Sequence, residues 1–340
     1  MKGIKRFCAV LVGIVFLIAG LLKLMDPVGA GLVTGEYFNF LHLSVLMPAA
    51  RFVAIALALL ESLVGAALIS GVLPLATGIL SLLMLLVFTG LTCVMWILNP
   101  EMDCGCFGEA VHLTHFQSFV KNLVLLVLWC VAFVPMSSLP KPRKVKYAAF
   151  SIAAISVVAF TVYSMMSIPA MDFTPFKPGA VLMQAEAEPE PDAPLLSLCD
   201  QDGEYCDELL ASGNLLLLTV YDPDSVNGQV TERIAECAAA AVDAGVRPVM
   251  ISAGEFPGAP LYYTSDRRTL MTVNRSNGGA TLLGDDMIVA KWPFRSLPDT
   301  EELTELLAMD PAEAMQKENT PKRLRLQGFL LYVFAVLLLL

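Results

Sequence analysis

The sequence predicts a membrane protein: an all-α four-helix bundle with one additional transmembrane helix, followed by a separate α/β domain. Three observations predict it. The chain is 56% hydrophobic and only 16% charged, with a mean hydropathy of +0.67, far from the makeup of a soluble domain. Five apolar runs approach the ~20 residues that cross a bilayer core. From residue 171 to 313 the character reverses, with 25 Asp and Glu against eight Lys and Arg.

The runs cover residues 4–24, 49–72, 74–98, 119–136 and 147–166, and a shorter one closes the chain at 326–340. At ~1.5 Å per residue the last reaches only part way across, as a short span or an interfacial helix. The first run follows Lys2, Lys5 and Arg6, as a signal peptide would. Its length, and the helix-ending Lys23-Leu24-Met25-Asp26-Pro27, favour a retained span.

Lys and Arg collect in short cytoplasmic loops. Lys2, Lys5 and Arg6 therefore place the amino terminus in the cytoplasm, and alternation returns Lys141-Pro142-Arg143-Lys144-Val145-Lys146 to the same side. The loop holding Cys104 and everything from 169 to 316 then lie outside, in a multi-pass protein of the inner membrane. Lys322, Arg323 and Arg325 oppose this pattern beside the terminal run. The acidity of the outer segment argues against nucleic acid and anionic lipid as its partners; the bilayer and an extracytoplasmic client protein are the partners expected.

The expected organisation is a bundle over 1–140, a fifth helix with a basic flank over 141–168, a Pro-, Ala- and Glu-rich linker over 169–194, the α/β domain over 195–316 and the apolar helix 326–340. Within the domain, 195–210 alternates around Asp202-Gly203 as a hairpin, placing Cys199 opposite Cys206 as a candidate structural disulfide, with two unpaired small residues as the alternative. Buried strands follow at 214–221 and 246–252, flanking an alanine-rich helix at 226–244. A hairpin comes next, with strands from Thr281 and at 287–292 and a turn at Gly284-Asp285-Asp286, and then an acidic helix at 300–309.

This order of elements resembles the thioredoxin-like fold. Where that family carries Cys-x-x-Cys, this chain has Asp222-Pro223-Asp224-Ser225, and at the place of the family's cis-proline it has Gly278, Gly279 and Ala280. The resemblance therefore implies a non-catalytic module that holds a partner. Cys237 on the intervening helix reads as a small buried residue.

The first 140 residues carry a second resemblance, through Gly20-Leu21-Leu22-Lys23-Leu24-Met25-Asp26-Pro27, Glu61-Ser62-Leu63-Val64-Gly65 and Cys104-Gly105-Cys106-Phe107-Gly108. In this order the three elements are similar to the DoxX-like membrane proteins, and most closely to their MauE branch, named for methylamine utilisation. The resemblance implies a four-helix membrane bundle tied to redox or disulfide maturation of extracytoplasmic proteins. Lys23, Asp26, Gly105, Phe107 and Gly108 are its motif residues beside the cysteines. A fifth span and an outer domain set this chain apart from a minimal MauE protein.

The chemistry centres on Cys104 and Cys106, the candidate redox pair. Two thiols separated by one glycine can close a strained, exchange-prone disulfide. Thiolate chemistry needs a nearby cation, and Asp103 and Glu109 work against it, leaving His112, His115 or Lys121 to compensate. A structural bridge and a Cys/His site for zinc or Cu(I) are the alternatives. Cys93 and Cys130, in the flanking spans, are either relay thiols or helix-packing fillers. Glu61, near mid-span, is the candidate proton or quinone site, or else a neutral carboxylic acid that packs helices. Lys23 is expected near the outer end of its span, too far for direct pairing with Glu61 without a tilt or an extended side chain, and Asp26 at a helix-end turn. Two function classes follow: a thiol-disulfide oxidoreductase passing electrons to quinone as cofactor, and a non-enzymatic assembly factor with structural cysteines. A transporter would need more polar residues along the spans.

Overall fold

A computed structural model describes residues 2–135, 142–182, 194–211, 213–256 and 259–339. It divides into two compact units, one formed by Met1–Met165 with Gln327–Leu340 and the other by Met166–Leu326.

The first unit contains α1 (Lys2–Met25), α2 (Pro27–Phe40), α3 (Ala50–Ser70), α4 (Pro74–Leu98), the short strand β1 (Cys106–Glu109), α5 (His115–Phe133) and α6 (Lys144–Met166). Among the described residues, five helices are long and apolar enough to cross a membrane: Gly3–Met25, Ser44–Ser70, Pro74–Leu98, His115–Phe133 and Lys144–Met166. Met136 and Lys141, which the sequence reading assigns to the fourth span and the basic flank, lie outside the described residues. Small residues set the closest helix approach. A Cβ on Gly20 would fall 2.2 Å from Ser62 Oγ, and one on Gly65 2.5 Å from the Leu17 nitrogen, so α1 and α3 touch along their backbones. Arg6 then reaches the last turn of α3, donating to the carbonyls of Leu68 and Ile69. Val12, Phe16, Leu68, Leu85, Leu125 and Trp129 fill the bundle interior. The terminal apolar run continues α10 (Pro311–Leu339); its Phe329 stacks on Phe160 of α6, with ring centres 4.8 Å apart.

Helix α2 is absent from the sequence reading, which leaves residues 25–48 as a loop. Asp26 caps it, accepting from the Gly29 N–H at 2.9 Å, and Pro27 occupies its first turn, the pairing that starts a helix cleanly. Its faces carry almost no segregation of apolar residues, so periodicity could not reveal it.

The second unit is a five-stranded mixed sheet in the order β4-β3-β2-β5-β6. It comprises β2 (Leu215–Val220), α7 (Gly228–Asp243), β3 (Arg247–Ser252), β4 (Tyr263–Thr264), α8 (Arg267–Val273), β5 (Gly279–Gly284), β6 (Met287–Trp292) and α9 (Thr300–Leu307). β2 runs parallel to β3 (Leu217 beside Val249) and antiparallel to β5 (Leu217 beside Thr281). Every side chain of β2 is buried, as expected of a strand covered on both faces. Leu216, Leu218 and Val220 meet Ile234 of α7 and Leu303 of α9; Leu215 and Leu217 meet Leu270 of α8 and Leu198.

Three details differ from the sequence reading. β5 starts at Gly279 instead of Thr281, because the left-handed turn ends at Gly278 (φ +81°), whose N–H already donates to Thr219. Part of the expected linker is packed: Phe176 and Leu182 are buried, and Gly179 and Leu182 donate to Ile288 and Asp286 beside β6. Residues 183–193 of that linker lie outside the described residues. The third difference is the register of the first hairpin. Asp200 and Glu204 pair across three residues, with Asp200 Oδ1 also accepting from the N–H groups of Asp202 and Glu204. One loop residue more than a two-residue turn slips the register by one, so Cys199 faces Tyr205 and Cys206 donates its N–H to Leu198. Both cysteines are free thiols.

Candidate functional site

The loop between α4 and α5 is shaped by glycine at two left-handed positions, Gly105 (φ +58°) and Gly108 (φ +61°), whose backbones close a turn from the Gly108 N–H to the Gly105 carbonyl. A Cβ on Gly105 would lie 2.4 Å from Val33 Cγ1 of α2. The loop can press against α2 only with glycine between the two cysteines. Gly105→Ala therefore adds backbone strain of ~1–3 kcal/mol on top of the clash. We expect a lower thermal unfolding midpoint, and loss of the reactivity difference between the flanking cysteines in timed alkylation. The far side of the loop is fixed by a capping box at the start of α5, in which Thr114 and Gln117 bond reciprocally.

This turn brings the two sulfurs to 2.9 Å of each other. Cys104 is buried and Cys106 half-buried, and both are free thiols. Tyr37 of α2 donates to the Cys104 carbonyl at 2.7 Å, with its hydroxyl 3.9 Å from the Cys104 sulfur. Lys121 of α5 supplies the cation: its ammonium lies 4.8 Å from the Phe107 ring centre and beside Cys106. Hydrogen bonding from Cys104, aided by the charges of Lys121 and Lys23, holds the Cys106 thiol below its ordinary range against the opposing effect of burial. Cys104 moves the other way, raised by its hydrogen bond to Cys106 and by burial. The two thiols are thus pushed in opposite directions, Cys106 toward the thiolate and Cys104 toward the protonated form.

An unperturbed thiol loses its thiolate as pH falls through ~8.5. A depressed one keeps it through neutrality and loses it only as pH approaches its lowered value. Cys106 alkylation should accordingly stay nearly constant between pH 9 and 7, where a free thiol slows by more than ~10-fold. Lys121→Met should steepen the dependence in part, and Cys104→Ala, which removes the larger cause, should steepen it more, read by mass spectrometry of the alkylated loop.

Beneath the thiols lies a cavity of about 210 Å³. Its walls are apolar, formed by Val33 of α2, Val53 and Leu57 of α3, and Phe88 and Leu91 of α4; its polar end holds Cys104, Cys106, Lys121, Lys23 and Glu61. Lys23 Nζ and Glu61 Oε2 are 2.7 Å apart, their side chains 18% and 6% exposed. The sequence reading allowed this pairing only through a tilt or an extended lysine, and the structure brings the two groups together. With Gly20 against Ala58 and Ser62, Lys23 stands about one turn from Glu61 on the facing helix, within reach of an extended lysine.

The remaining candidates lie elsewhere. His112 faces Asp103 at 3.2 Å, and His115 faces the Pro100 carbonyl at 3.0 Å; among the described residues no group of three or more His, Cys, Asp and Glu could hold a metal ion. Cys93 and Cys130 do not line the cavity. Asp26 is the cap of α2. Cys199 and Cys206 belong to the other unit, where Asp222 is bonded through its backbone to both ends of the Asn277 amide. Tyr37 is the residue that sequence reasoning missed. It sits in the stretch read as a loop, and the only local signal was the Asp26-Pro27 helix start before it.

No curated protein and no solved structure matches the chain. Residues 1–135 match the family model described as methylamine utilisation protein MauE, and helices α1 to α5, the Lys23–Glu61 pair and the thiol loop all lie within that stretch, whereas the apolar helix α6 lies beyond it: this stretch is similar to the MauE family.

Proposed function

We propose that this protein is a membrane thiol-disulfide redox factor that supports the maturation of extracytoplasmic proteins, with Cys104 and Cys106 as the reversible couple and a quinone as electron acceptor. The observation that carries the reading is the contact of two sulfurs at 2.9 Å at the polar end of an apolar cavity. In the oxidised couple, a client thiolate attacks one sulfur and forms a mixed disulfide while the other leaves as thiolate. The client's second thiolate then attacks the client sulfur, closing the client disulfide and releasing both cysteines reduced. Reoxidation of a thiolate–thiol pair removes two electrons and the one proton that Cys104 carries.

The cavity suits a quinone head group. Its walls are hydrocarbon and its polar groups gather at one end; its size, below the ~300–1,000 Å³ of drug-sized sites, fits a ring with the tail outside. A quinone bound there would accept both electrons, the proton from Cys104 and a second proton from solution. Lys23 and Glu61 would stabilise charge and hold a proton at the Glu61 carboxyl. The orientation that follows from the basic residues puts the amino terminus in the cytoplasm and the thiol loop outside, in the inner membrane.

The α/β module is read as thioredoxin-like and extracytoplasmic. Its strand order and the crossover helix α7 between parallel strands support that reading. Asp222-Pro223-Asp224-Ser225 at the end of β2, with no dithiol, supports a role in client binding without electron transfer. The test is thiol trapping in native membranes. Cys104 and Cys106 should shift toward the reduced form when respiration stops. A redox state that does not respond, with normal client maturation in Cys106→Ser, favours an assembly factor with structural cysteines.

A further inference from the structure

Neighbouring helices close several sides of the cavity beneath the thiols through contacts that can be named. Between α2 and α3, a Cβ on Gly31 would lie 3.1 Å from Arg51 Cα. Between α2 and α4, the Tyr37 hydroxyl reaches Met95 Sδ at 3.1 Å. Between α4 and α5, the Asn122 amide donates to the Thr92 hydroxyl at 3.2 Å, and α1 meets α3 backbone to backbone at Gly20 and Gly65.

The seam between α3 and α4 is different. These helices are joined by the short turn Gly71–Leu73, so they run antiparallel. Counted from Val72 along each helix at ~1.5 Å per residue, Leu57 stands level with Phe88, and Val53 with Leu91. Nearer the turn the seam is filled, because Leu60 and Val64 of α3 share one packed cluster with Leu80 and Met84 of α4. Farther from it, Val53, Leu57, Phe88 and Leu91 line the cavity. Leu57 is at once a cavity residue and 44% exposed, whereas Ala54 and Glu61 on the same helix are buried. Phe52 and Val87, the chain neighbours of Val53 and Phe88, are exposed as well. The side chains along this stretch of the seam therefore border the cavity on one side and the lipid-facing surface on the other, and none of them carries a polar group.

We propose that this seam is a lateral portal, through which a lipophilic quinone passes its ring from the bilayer into the cavity and leaves its hydrocarbon tail between Leu57 and Leu91. The proposal rests on the quinone reading of the cavity and adds the class and the route of the ligand: a tail-bearing quinone taken from lipid, not a tail-less one taken from water. A cavity of about 210 Å³ houses the ring. The tail keeps surroundings as apolar as the bilayer it came from, so its passage exposes no hydrocarbon to water.

The full-length protein, reduced at Cys104 and Cys106 and reconstituted in phosphatidylcholine nanodiscs, tests this through reoxidation by a decyl-substituted benzoquinone and by its tail-less parent, followed by thiol trapping. Leu57→Trp overfills the seam and should slow the tailed quinone roughly 5-fold or more relative to the tail-less one. Leu91→Trp, on the facing helix, should do the same. Phe52→Trp, on the same helix as Leu57 but off the cavity, should leave the ratio of the two rates as it was. The ratio is taken within each variant, so a general loss of folded protein cancels. An unchanged ratio in either Leu57→Trp or Leu91→Trp overturns the portal and leaves the quinone reading standing. So does a larger change from Leu41→Trp, at the other exposed leucine of the cavity, because the tail would then leave past the end of α2. Failure of both quinones to reoxidise the unaltered protein overturns the quinone reading itself, and the portal with it.

Discussion

Membranes carrying Cys104→Ser should accumulate a reductant-sensitive adduct on Cys106, whereas membranes carrying Cys106→Ser should show none on Cys104, and client disulfide formation should be lost in both. The asymmetry follows from the site. Cys106 is half-buried, faces Lys121 and has its thiol held low; Cys104 is buried, hydrogen-bonded and has its thiol raised. A lone Cys106 loses the hydrogen bond from Cys104 but keeps Lys121 and Lys23 beside it, and its thiolate can open a client disulfide, forming a mixed disulfide and releasing one client thiolate. Without Cys104 nothing inside the protein resolves it, so the adduct is lost only by return of the released client thiolate. A lone Cys104 loses its hydrogen bond to Cys106 but stays buried, and burial still raises its thiol and shields it from a client. Non-reducing gels and mass spectrometry of the linked peptide read the outcome. Equal adducts on both variants, or none on either, would sink the assignment of roles.

That asymmetry was only half legible in the sequence. The Cys-Gly-Cys spacing between two apolar runs marks a thiol pair at a helix-bundle rim, and the spans themselves follow from hydropathy, because a bilayer imposes length and composition on each segment independently. What escapes is the lateral arrangement. Lys121 was one of three cations within reach of the loop, and only the fold of the Gly105–Gly108 turn selects it over His112 and His115, which face Asp103 and Pro100 instead. Tyr37 was invisible for a different reason: α2 is rich in glycine and lacks a polar face, so neither period nor propensity separates it from a loop.

In the α/β module the strands were readable from their continuous apolar runs. The hairpin register was not, since a single extra turn residue moved Cys199 from Cys206 to Tyr205. Turn length is decided by the carboxylate of Asp200 reaching back onto the loop N–H groups, an Asx turn whose signal in sequence is weak.

The Lys23–Glu61 pair carries the second large expectation. Removing one partner of a buried ion pair strands the other charge in apolar surroundings, which costs ~3–5 kcal/mol. Glu61→Leu alone should thus lower the unfolding midpoint sharply, and Lys23→Met alone should do so nearly as much. The double replacement leaves no charge behind, and hydrocarbon side chains suit a site already walled by Leu57 and Phe88, so it should recover most of the loss. The four chains form a double-mutant cycle whose coupling energy isolates the pair, measured by thermal unfolding in detergent. Their redox behaviour separates structure from chemistry. If the pair serves only packing, the refolded double variant should cycle Cys104 and Cys106 at the original rate; if it supplies and removes protons, the double variant should be stable and stalled. The second outcome is the expected one, because Glu61 and Lys23 share the cavity with the thiols, and oxidation of the pair must release the Cys104 proton next to the Glu61 carboxylate, the acidic group that lines this cavity.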